Sequence, residues 1–410
     1  MTSTKRKMAL GGHLNIWIYN HYADPPERQA TRTFDLAAEL VKKGHQVTIF
    51  AASFSHYTFQ ETRTYHFNFY RSERIQGVRF TWLRTFPYQK NDWRRVVNML
   101  TYCLGAGLAS FRGKPDVIIG VTVHPFAAFL AYLVSLLKHA RFYFEITDLW
   151  PETLIEFGKL SAESRVAKSL YALEKFLMQH AVNIIVLHRY LNVYTHPRGI
   201  PNEKLVWIPH GANLAHYHDL PPYAGKHKQE LFTIMYTGGI VWSNDLDTII
   251  EAAALVKHIP VQFIIVGDGT DKPRLEEKVR RMGLENVNFH PVVPKSELSR
   301  VMAQADAFIM GMRNFKLYEY GISTNKLITY LASQRPILFA GLTPGNPVAE
   351  ANAGFVTPTE NPQSLAEAIQ RLVSLTPEER AALGQNGLRY LKQYHDIALL
   401  ANRLEAVLCS

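Results

Sequence analysis

Short apolar runs alternate with helical periodicity through the first half of the chain. An apolar run at 14–20 leads into a polar loop, a helix at 33–43 with apolar residues at helical spacing, and a second run at 46–51. A strand, loop, helix and strand with a very short return predict a parallel sheet. The same rhythm resumes over 116–146, so this half is predicted to be an α/β domain.

The second half repeats this architecture. Its predicted strands are apolar runs with helices between them, at 231–237, 261–266, 287–289, 307–310 and 336–339. Between the halves, residues 215–229 are polar and rich in Pro and Gly without periodicity, which is typical of a linker. We therefore predict a first domain at 1–213 and a second at 214–392, with a final helix at about 393–410 packing back on the first.

Charge and composition narrow the range of partners and locations. The 410 residues carry a formal net charge of +10 and a pI of about 9.4, which predicts an anionic partner such as nucleic acid, a membrane surface or a phosphorylated substrate. Cys103 and Cys409 are the only cysteines, too few for a disulfide framework, and this favours a reducing cytoplasm. The basic N-terminus lacks the apolar core of a signal peptide.

Two stretches bear on membrane contact. The longest apolar one, 117–137, is interrupted by His124 and Pro125 and is predicted to be a buried strand followed by a helix, because a span needs about 20 uninterrupted apolar residues. The stretch 53–114 mixes basic with aromatic residues, which suits either a solvated face over an aromatic core or a membrane-surface patch. Single-stranded nucleic acid favours the same mixture, but no nucleic-acid motif accompanies it.

Residues 320–331, YGISTNKLITYL, carry the strongest local signal for ligand binding. A glycine and the run 323–325 are turn and helix-cap residues, and an apolar helix continues beyond Lys326. Free N–H groups at a helix N-terminus beside a lysine predict a phosphate site. Gly238 and Gly239, at another strand-to-helix turn, would let the backbone approach a phosphate, although tight turns use the same residues.

Further candidates lie at predicted strand ends. Gly267 and Gly269 serve either a simple turn or a ligand at the same sheet edge. Asp148 lies where parallel sheets bind ligands, so it is predicted to hydrogen-bond a substrate hydroxyl or act as a base, or else to cap the next turn. His124 lies at the end of the preceding predicted strand, and the same two interpretations, a ligand contact or a structural cap, apply to it. No GxGxxG follows the first strand, which disfavours a dinucleotide-binding domain.

An ordered set of motifs resembles a known family. The set is GHQVTIFAAS, PDVIIG, EITDLWPET, IPHGAN, YTGG…SNDLDTIIEA, FIIVGDGTDK and YGISTNKLITYLASQRPIL, within about residues 14–400. It resembles the family 4 glycosyltransferases of the GT-B fold, and is most similar to the branch that transfers N-acetylated deoxyamino sugars in bacterial surface-polysaccharide assembly, such as O-antigen or capsule. The resemblance implies an α/β fold of two Rossmann-like parallel-sheet domains facing each other across a cleft.

The resemblance implies a role for each matching residue. The donor-binding residues would be Gly238, Gly239, Gly267, Asp268, Gly269, Val292, Val293, Ser323, Thr324, Asn325, Lys326 and Thr329. The catalytic residues would be Asp148, Lys326 and His124, with Asn20 and Arg32 on the acceptor or phosphate side. The reaction would retain anomeric configuration without a metal or other cofactor. The departing diphosphate would take the acceptor proton while Lys326 neutralises it.

The resemblance also implies partners. The donor would be a nucleotide sugar, UDP-linked, and the acceptor a saccharide or a polyprenyl-pyrophosphate-linked sugar at an anionic membrane surface, with no role for nucleic acid. The expected location is the cytoplasm, peripheral on the inner face of the plasma membrane.

Some positions depart from the family pattern. Gly321 and Thr329 stand where many members carry two acidic residues, and Val241 and Gln334 stand where glycines are common. These departures keep two alternatives open, which are a sugar-nucleotide epimerase of the same fold and an inactive binding protein. An epimerase would need acid/base pairs on both faces of the cleft, and only Asp148 and His124 are candidates.

Overall fold

The protein folds into two units. The computed structural model describes residues 12–28, 31–66, 68–90, 92–217, 223 and 231–410. Unit 1 comprises Met1–Pro209 and Ile397–Ser410, and unit 2 comprises His210–Asp396. The division precedes the boundary predicted after Asn213, because the His210 N–H donates to Ser323 Oγ (2.9 Å) within unit 2. Most of the predicted linker and of the basic N-terminal segment lies outside the described residues.

Unit 1 is built on an eight-stranded sheet. Its strands are β1 (Asn15–Tyr19), β2 (Gln46–Ala52), β3 (Tyr70–Ile75), β4 (Val78–Leu83), β5 (Val117–Val121), β6 (Arg141–Ile146), β7 (Ile184–Val186) and β8 (Leu205–Trp207). They lie in the order β3-β4-β2-β1-β5-β6-β7-β8, and every neighbouring pair is parallel except β3 with β4. The carboxyl ends of the parallel strands therefore share one edge, where ligands bind in such sheets.

The helices of unit 1 connect these strands. They are α1 (Arg32–Lys42), α2 (Trp93–Ala109), α3 (Pro125–Lys138), α4 (Glu152–Glu156), α5 (Arg165–His180) and α6 (Asn192–Thr195). The apolar face of α1 buries Phe34, Leu36 and Leu40 against the sheet. The α2 and α3 helices pack against each other.

Unit 2 is built on a six-stranded, entirely parallel sheet in the order β11-β10-β9-β12-β13-β14. Its strands are β9 (Phe232–Thr237), β10 (Val261–Val266), β11 (Val287–His290), β12 (Ala307–Gly311), β13 (Ile337–Ala340) and β14 (Gly354–Thr357). Its helices are α7 (Leu246–Leu255), α8 (Lys272–Arg281), α9 (Lys295–Met302), α10 (Asn325–Ala332), α11 (Pro347–Ala351), α12 (Pro362–Ser374) and α13 (Pro377–Tyr394).

The final helix, α14 (Ile397–Cys409), belongs to unit 1. It packs against α1, and its residues Leu400 and Leu404 are buried in the core on that face of the sheet. The His45 ring adds a polar contact, since its Nε2 lies 3.0 Å from Glu405 Oε1. The last residues of the chain thus complete the core of the first unit.

The predicted α/β class with two parallel-sheet domains is confirmed. The elements that the sequence analysis did not predict include β3, β4 and α2 in the basic, aromatic stretch, and β14 in unit 2. Neither predicted interpretation describes the basic, aromatic stretch as a whole. Its buried aromatic side chains are Phe54, Phe80, Trp82, Tyr88 and Tyr102, and its exposed ones are Tyr57, Phe59, Phe69, Phe86, Trp93 and Phe111. No helix within the described residues is long and apolar enough to cross a membrane.

Candidate functional site

Lys326 lies in the first turn of α10, against the loop that follows β9. Its Nζ donates to the Tyr236 hydroxyl (2.9 Å) and lies 4.9 Å from the centre of that ring. The Tyr236 hydroxyl in turn donates to the Gly239 carbonyl (2.6 Å). Gly238 adopts φ +137°, and a Cβ there would lie 2.8 Å from Lys326 Cδ. The glycine is therefore required for the lysine to reach this position.

The Lys326 ammonium has no carboxylate partner in the part of the chain that the structure describes. Burial lowers the pKa of its amine to about 7. A desolvated amine without a counterion is unfavourable in its charged form, and an anion beside it reverses that balance. The electrostatics of this position therefore favour a negatively charged ligand.

The N-terminus of α10 adds hydrogen-bond donors beside this lysine. Thr324 caps the helix by accepting from the Leu327 N–H (3.3 Å). The Asn325 and Lys326 N–H groups make no hydrogen bond to a described residue. They point toward the helix N-terminus, where the helix dipole also favours an anion. The Ser323 hydroxyl accepts from His210 and keeps its own proton available.

Gly267 and Gly269 hold the two glycine loops of unit 2 together. A Cβ on Gly267 would overlap the Gly238 carbonyl oxygen, and one on Gly269 would overlap the Ile240 carbonyl oxygen. The Ile240 N–H donates to the Asp268 carbonyl (2.8 Å), so the loops after β9 and β10 pack backbone to backbone. The geometry gives these glycines a supporting role for the Gly238 loop.

The remaining donor candidates differ in their surroundings. Val292 is exposed, whereas Val293 packs against the core of unit 2. The Thr329 hydroxyl lies 3.2 Å from the Tyr217 hydroxyl, so a side chain of unit 2 already engages it. Gly321 adopts φ +100° and Gln334 φ +61°, and both values explain why glycine suits these positions.

Asp148 follows β6 at the carboxyl edge of the unit 1 sheet. The Thr122 hydroxyl donates to its backbone carbonyl (3.1 Å) and fixes the loop. The Asp148 side chain is exposed to solvent on one side and surrounded by protein on the others. The resulting desolvation raises the pKa of its carboxyl group to about 6, and the Arg95 charge and a hydrogen bond from Thr147 act in the opposite direction. The α4 helix that follows has Pro151 at its N-cap and no side-chain cap, so Asp148 does not cap that helix.

Asp148 has titratable neighbours that the sequence analysis did not single out. The Tyr57 side chain is exposed, but the protein around its hydroxyl desolvates it and raises its pKa, and the carboxylates of Asp24 and Asp148 raise it further. Asp24, Tyr57 and His56 line one pocket at the ends of β1 and β2. Their position after strands of the same sheet was the signal available in the sequence.

His124 is a structural residue in this geometry, which does not support its predicted catalytic role. Its Nδ1 accepts from the Ala127 N–H (3.2 Å) as the N-cap of α3, and its Nε2 lies 2.8 Å from His21 Nδ1. The ring is fully buried, and burial lowers its pKa to about 3. Both ring nitrogens thus have hydrogen-bond partners within unit 1.

Arg32 and Asn20 also turn inward, against the predicted acceptor-side role. The buried Arg32 guanidinium pairs with Glu145 and donates to the carbonyls of Ile208 (2.6 Å) and Pro209 (3.3 Å). The Asn20 amide donates to the Thr33 hydroxyl (2.7 Å). Both side chains tie α1 to the sheet edge. Among the described residues, no cluster of His, Cys, Asp or Glu is arranged to hold a metal ion.

Both units match family models of glycosyltransferases. Residues 29–211 match the glycosyl transferase 4-like domain, and residues 232–374 match glycosyl transferases group 1. The chain therefore belongs to the family 4 glycosyltransferases of the GT-B fold. The predicted transferase class is confirmed, and the epimerase alternative is not favoured.

A relative agrees with this class, and two solved structures share the fold. WcaI of Escherichia coli (strain K12), assigned by name to colanic acid biosynthesis as a glycosyl transferase, is 25% identical over 292 residues, 68% of this chain and 71% of WcaI. The fold is similar to sucrose-phosphate synthase from Thermosynechococcus elongatus, with TM-score 0.74, 15% identity and coverage of 96% and 98% of the two chains. HepE from Anabaena, solved with UDP and glucose, gives TM-score 0.68 at 15% identity, covering 97% of this chain and 100% of HepE.

Proposed function

We propose that unit 2 binds a UDP-linked sugar and that its diphosphate lies against Lys326, the N-terminus of α10 and the Gly238–Gly239 loop. The observation that carries this proposal is the desolvated Lys326 amine, which has no carboxylate partner among the described residues and lies beside free helix N–H groups. UDP is the nucleotide bound in the HepE structure, and this supports uridine as the nucleoside of the donor.

The reaction is sugar transfer with retention of configuration, in which the diphosphate leaves from the face that the acceptor approaches. Lys326 and the α10 N–H groups stabilise the charge that develops on the leaving group. The leaving diphosphate takes the acceptor proton, and Asp148, ionised above pH about 6, orients the acceptor hydroxyl or the sugar. The residues of the chain supply these interactions without a metal.

The sugar is an N-acetylated amino sugar and the acceptor a polyprenyl-pyrophosphate-linked saccharide at a membrane surface. The motif order of the chain supports the N-acetylated amino sugar, since that order resembles the branch of the family that transfers such sugars. The similarity to WcaI, which is assigned by name to colanic acid biosynthesis, supports a polysaccharide acceptor.

Donor binding should take up a proton. At pH 8 the Lys326 amine, with a pKa of about 7, is mostly neutral, and the diphosphate of UDP-GlcNAc would raise that pKa and recharge it. Titration calorimetry in two buffers of different ionisation enthalpy should show uptake approaching one proton at pH 8 and little at pH 6.

Among UDP, GDP, ADP and dTDP, UDP should raise the melting temperature most. Equal shifts by all four, or no proton uptake, would contradict the assignment.

The two glycine loops allow a matched pair of substitutions. Gly267→Ala places a methyl group on the Gly238 carbonyl and should destabilise the fold by ~2 kcal/mol or more. Gly239→Ala enters open space and should leave stability within about 1 kcal/mol, yet weaken UDP binding because the methyl group keeps the diphosphate off the backbone. Thermal melts with and without UDP measure both effects. Unchanged UDP affinity in Gly239→Ala would place the diphosphate elsewhere.

A further inference from the structure

The outward face of α2 and α3 is apolar, which is unusual for surface helices. Along α2 and the turn after it, exposed apolar side chains recur every three or four residues, and α3 adds more beside them. These residues form the α2–α3 apolar face: Val96, Leu100, Leu104, Leu108, Phe111, Leu133, Leu136 and Leu137. Leu104, Phe111 and Leu137 are 66%, 76% and 77% exposed. A soluble surface normally carries charged residues at such positions.

Basic groups lie around this face, and acidic ones are nearly absent. Between Trp93 and His139 the only acidic residue is Asp116, which is buried and accepts from the Asn15 N–H (2.9 Å). Arg112 and Lys114 follow Phe111 directly, and Lys138 Nζ donates to the Phe111 carbonyl (2.9 Å). An apolar face edged by cations complements an anionic lipid surface.

A pocket lined by arginines lies next to the end of α2. Arg74, Arg79 and Arg112 line it together with the aromatic side chains of Trp17 and Phe50, and we call it the arginine pocket. Arg74 and Arg79 are direct cross-strand partners in the β3–β4 pair. Like charges opposed in this way destabilise a sheet. None of the three arginines forms an ion pair with an acidic residue in the described part of the chain.

We propose that the α2–α3 apolar face inserts into an anionic lipid bilayer and that the arginine pocket binds the phosphate of a lipid headgroup. This deepens the proposed function, since it rests on a lipid-linked acceptor and names the surface that meets the membrane. Apolar insertion supplies affinity. The paired arginines favour a headgroup whose phosphate is not balanced by a choline cation, because its net negative charge relieves their repulsion.

Flotation with vesicles tests the apolar face. The wild-type chain should bind phosphatidylglycerol-containing vesicles and bind phosphatidylcholine vesicles at least tenfold more weakly. The double change Leu104→Glu with Leu108→Glu should reduce binding at least tenfold. Leu342→Glu, at an equally exposed leucine of unit 2, should leave binding unchanged. Equal binding by both variants, or a wild-type dimer in solution that the double change dissociates, would overturn the proposal.

A single-charge comparison on one strand tests the arginine pocket. Arg74→Gln should weaken binding to anionic vesicles about fivefold, the factor expected for ~1 kcal/mol per surface cation, and Arg71→Gln on the other face of β3 should have a smaller effect. Equal losses of vesicle binding in Arg74→Gln and Arg71→Gln would show that only general charge attraction acts, and would refute lipid binding in the arginine pocket. Vesicle binding is measured without nucleotide and UDP binding without vesicles, so either proposal can fail while the other stands.

Discussion

Replacing Lys326 with methionine should lower the turnover of sugar transfer by at least ~100-fold. The amine contacts the leaving diphosphate in our proposal, and a fixed cation is most effective where negative charge develops. UDP affinity should fall too, because a charge-assisted hydrogen bond of about 1.5–3 kcal/mol is lost. Lys257→Met, at an exposed lysine of unit 2, is the matched control and should keep full activity. Near-normal transfer by Lys326→Met would remove this residue from the mechanism.

The same substitution should make the unliganded protein more stable. The folded-state pKa of Lys326, about 7, lies below the 10.5 of a free lysine, so the unfolded chain binds more protons between these values. Wild-type stability should therefore rise with pH from about 7 to 10.5, and Lys326→Met should lack this rise. At pH 7 the Lys326→Met variant should therefore be the more stable protein. Denaturation at pH 7 and pH 9 measures both, and a destabilised variant would argue for a structural role.

The helix N-terminus at Lys326 was predictable because its cap, its lysine and its apolar face lie in one short stretch of sequence. A strand, a glycine turn, and a helix with a cap and a lysine each leave a short-range pattern, and the structure places the lysine against Gly238. The donor contacts at this position stay a prediction. The supporting role of Gly267 was not predictable, because it depends on a backbone contact with another loop.

Two candidates in unit 1, Arg32 and His124, already have hydrogen-bond partners that are distant in sequence. Arg32 meets Glu145, and His124 meets His21, each more than a hundred positions away along the chain. No pattern around Arg32 or His124 reveals that a neighbouring strand end has already satisfied its side chain. A polar residue at a strand end is therefore weak evidence of a ligand until its hydrogen-bond partners are known.

The α2 helix escaped prediction for a different physical reason. Helix recognition depends on an apolar face that turns toward the core. In α2 the buried positions include Asn98, Tyr102 and Gly105, whereas Leu100 and Leu104 face outward. Apolar residues thus lie on both faces of α2, and only the structure separates a buried aromatic residue such as Trp82 from an exposed one such as Trp93. The apolar outward face is the observation that points to a lipid surface.

Replacing Asp148 with asparagine should lower turnover by ~10²–10⁴-fold while leaving donor affinity nearly unchanged. The carboxylate acts on the acceptor or the transferred sugar in our proposal, and a positioned acid or base contributes on this scale. Wild-type turnover should fall below pH about 6, where Asp148 takes up its proton, and the asparagine variant should lack that limb. Glu163→Gln, at an exposed acid of unit 1, should match the wild type.

Stability separates this catalytic role from a structural one. The pKa of Asp148, raised from 3.8 to about 6, means that the folded state binds more protons than the unfolded chain between those values. Its ionisation therefore lowers stability as pH rises through that window, and Asp148→Asn should melt at or slightly above the wild-type temperature at pH 7. A helix cap would give the reverse, a loss of about 1 kcal/mol. An unchanged rate with a lower melting temperature would therefore refute the role of Asp148 in transfer.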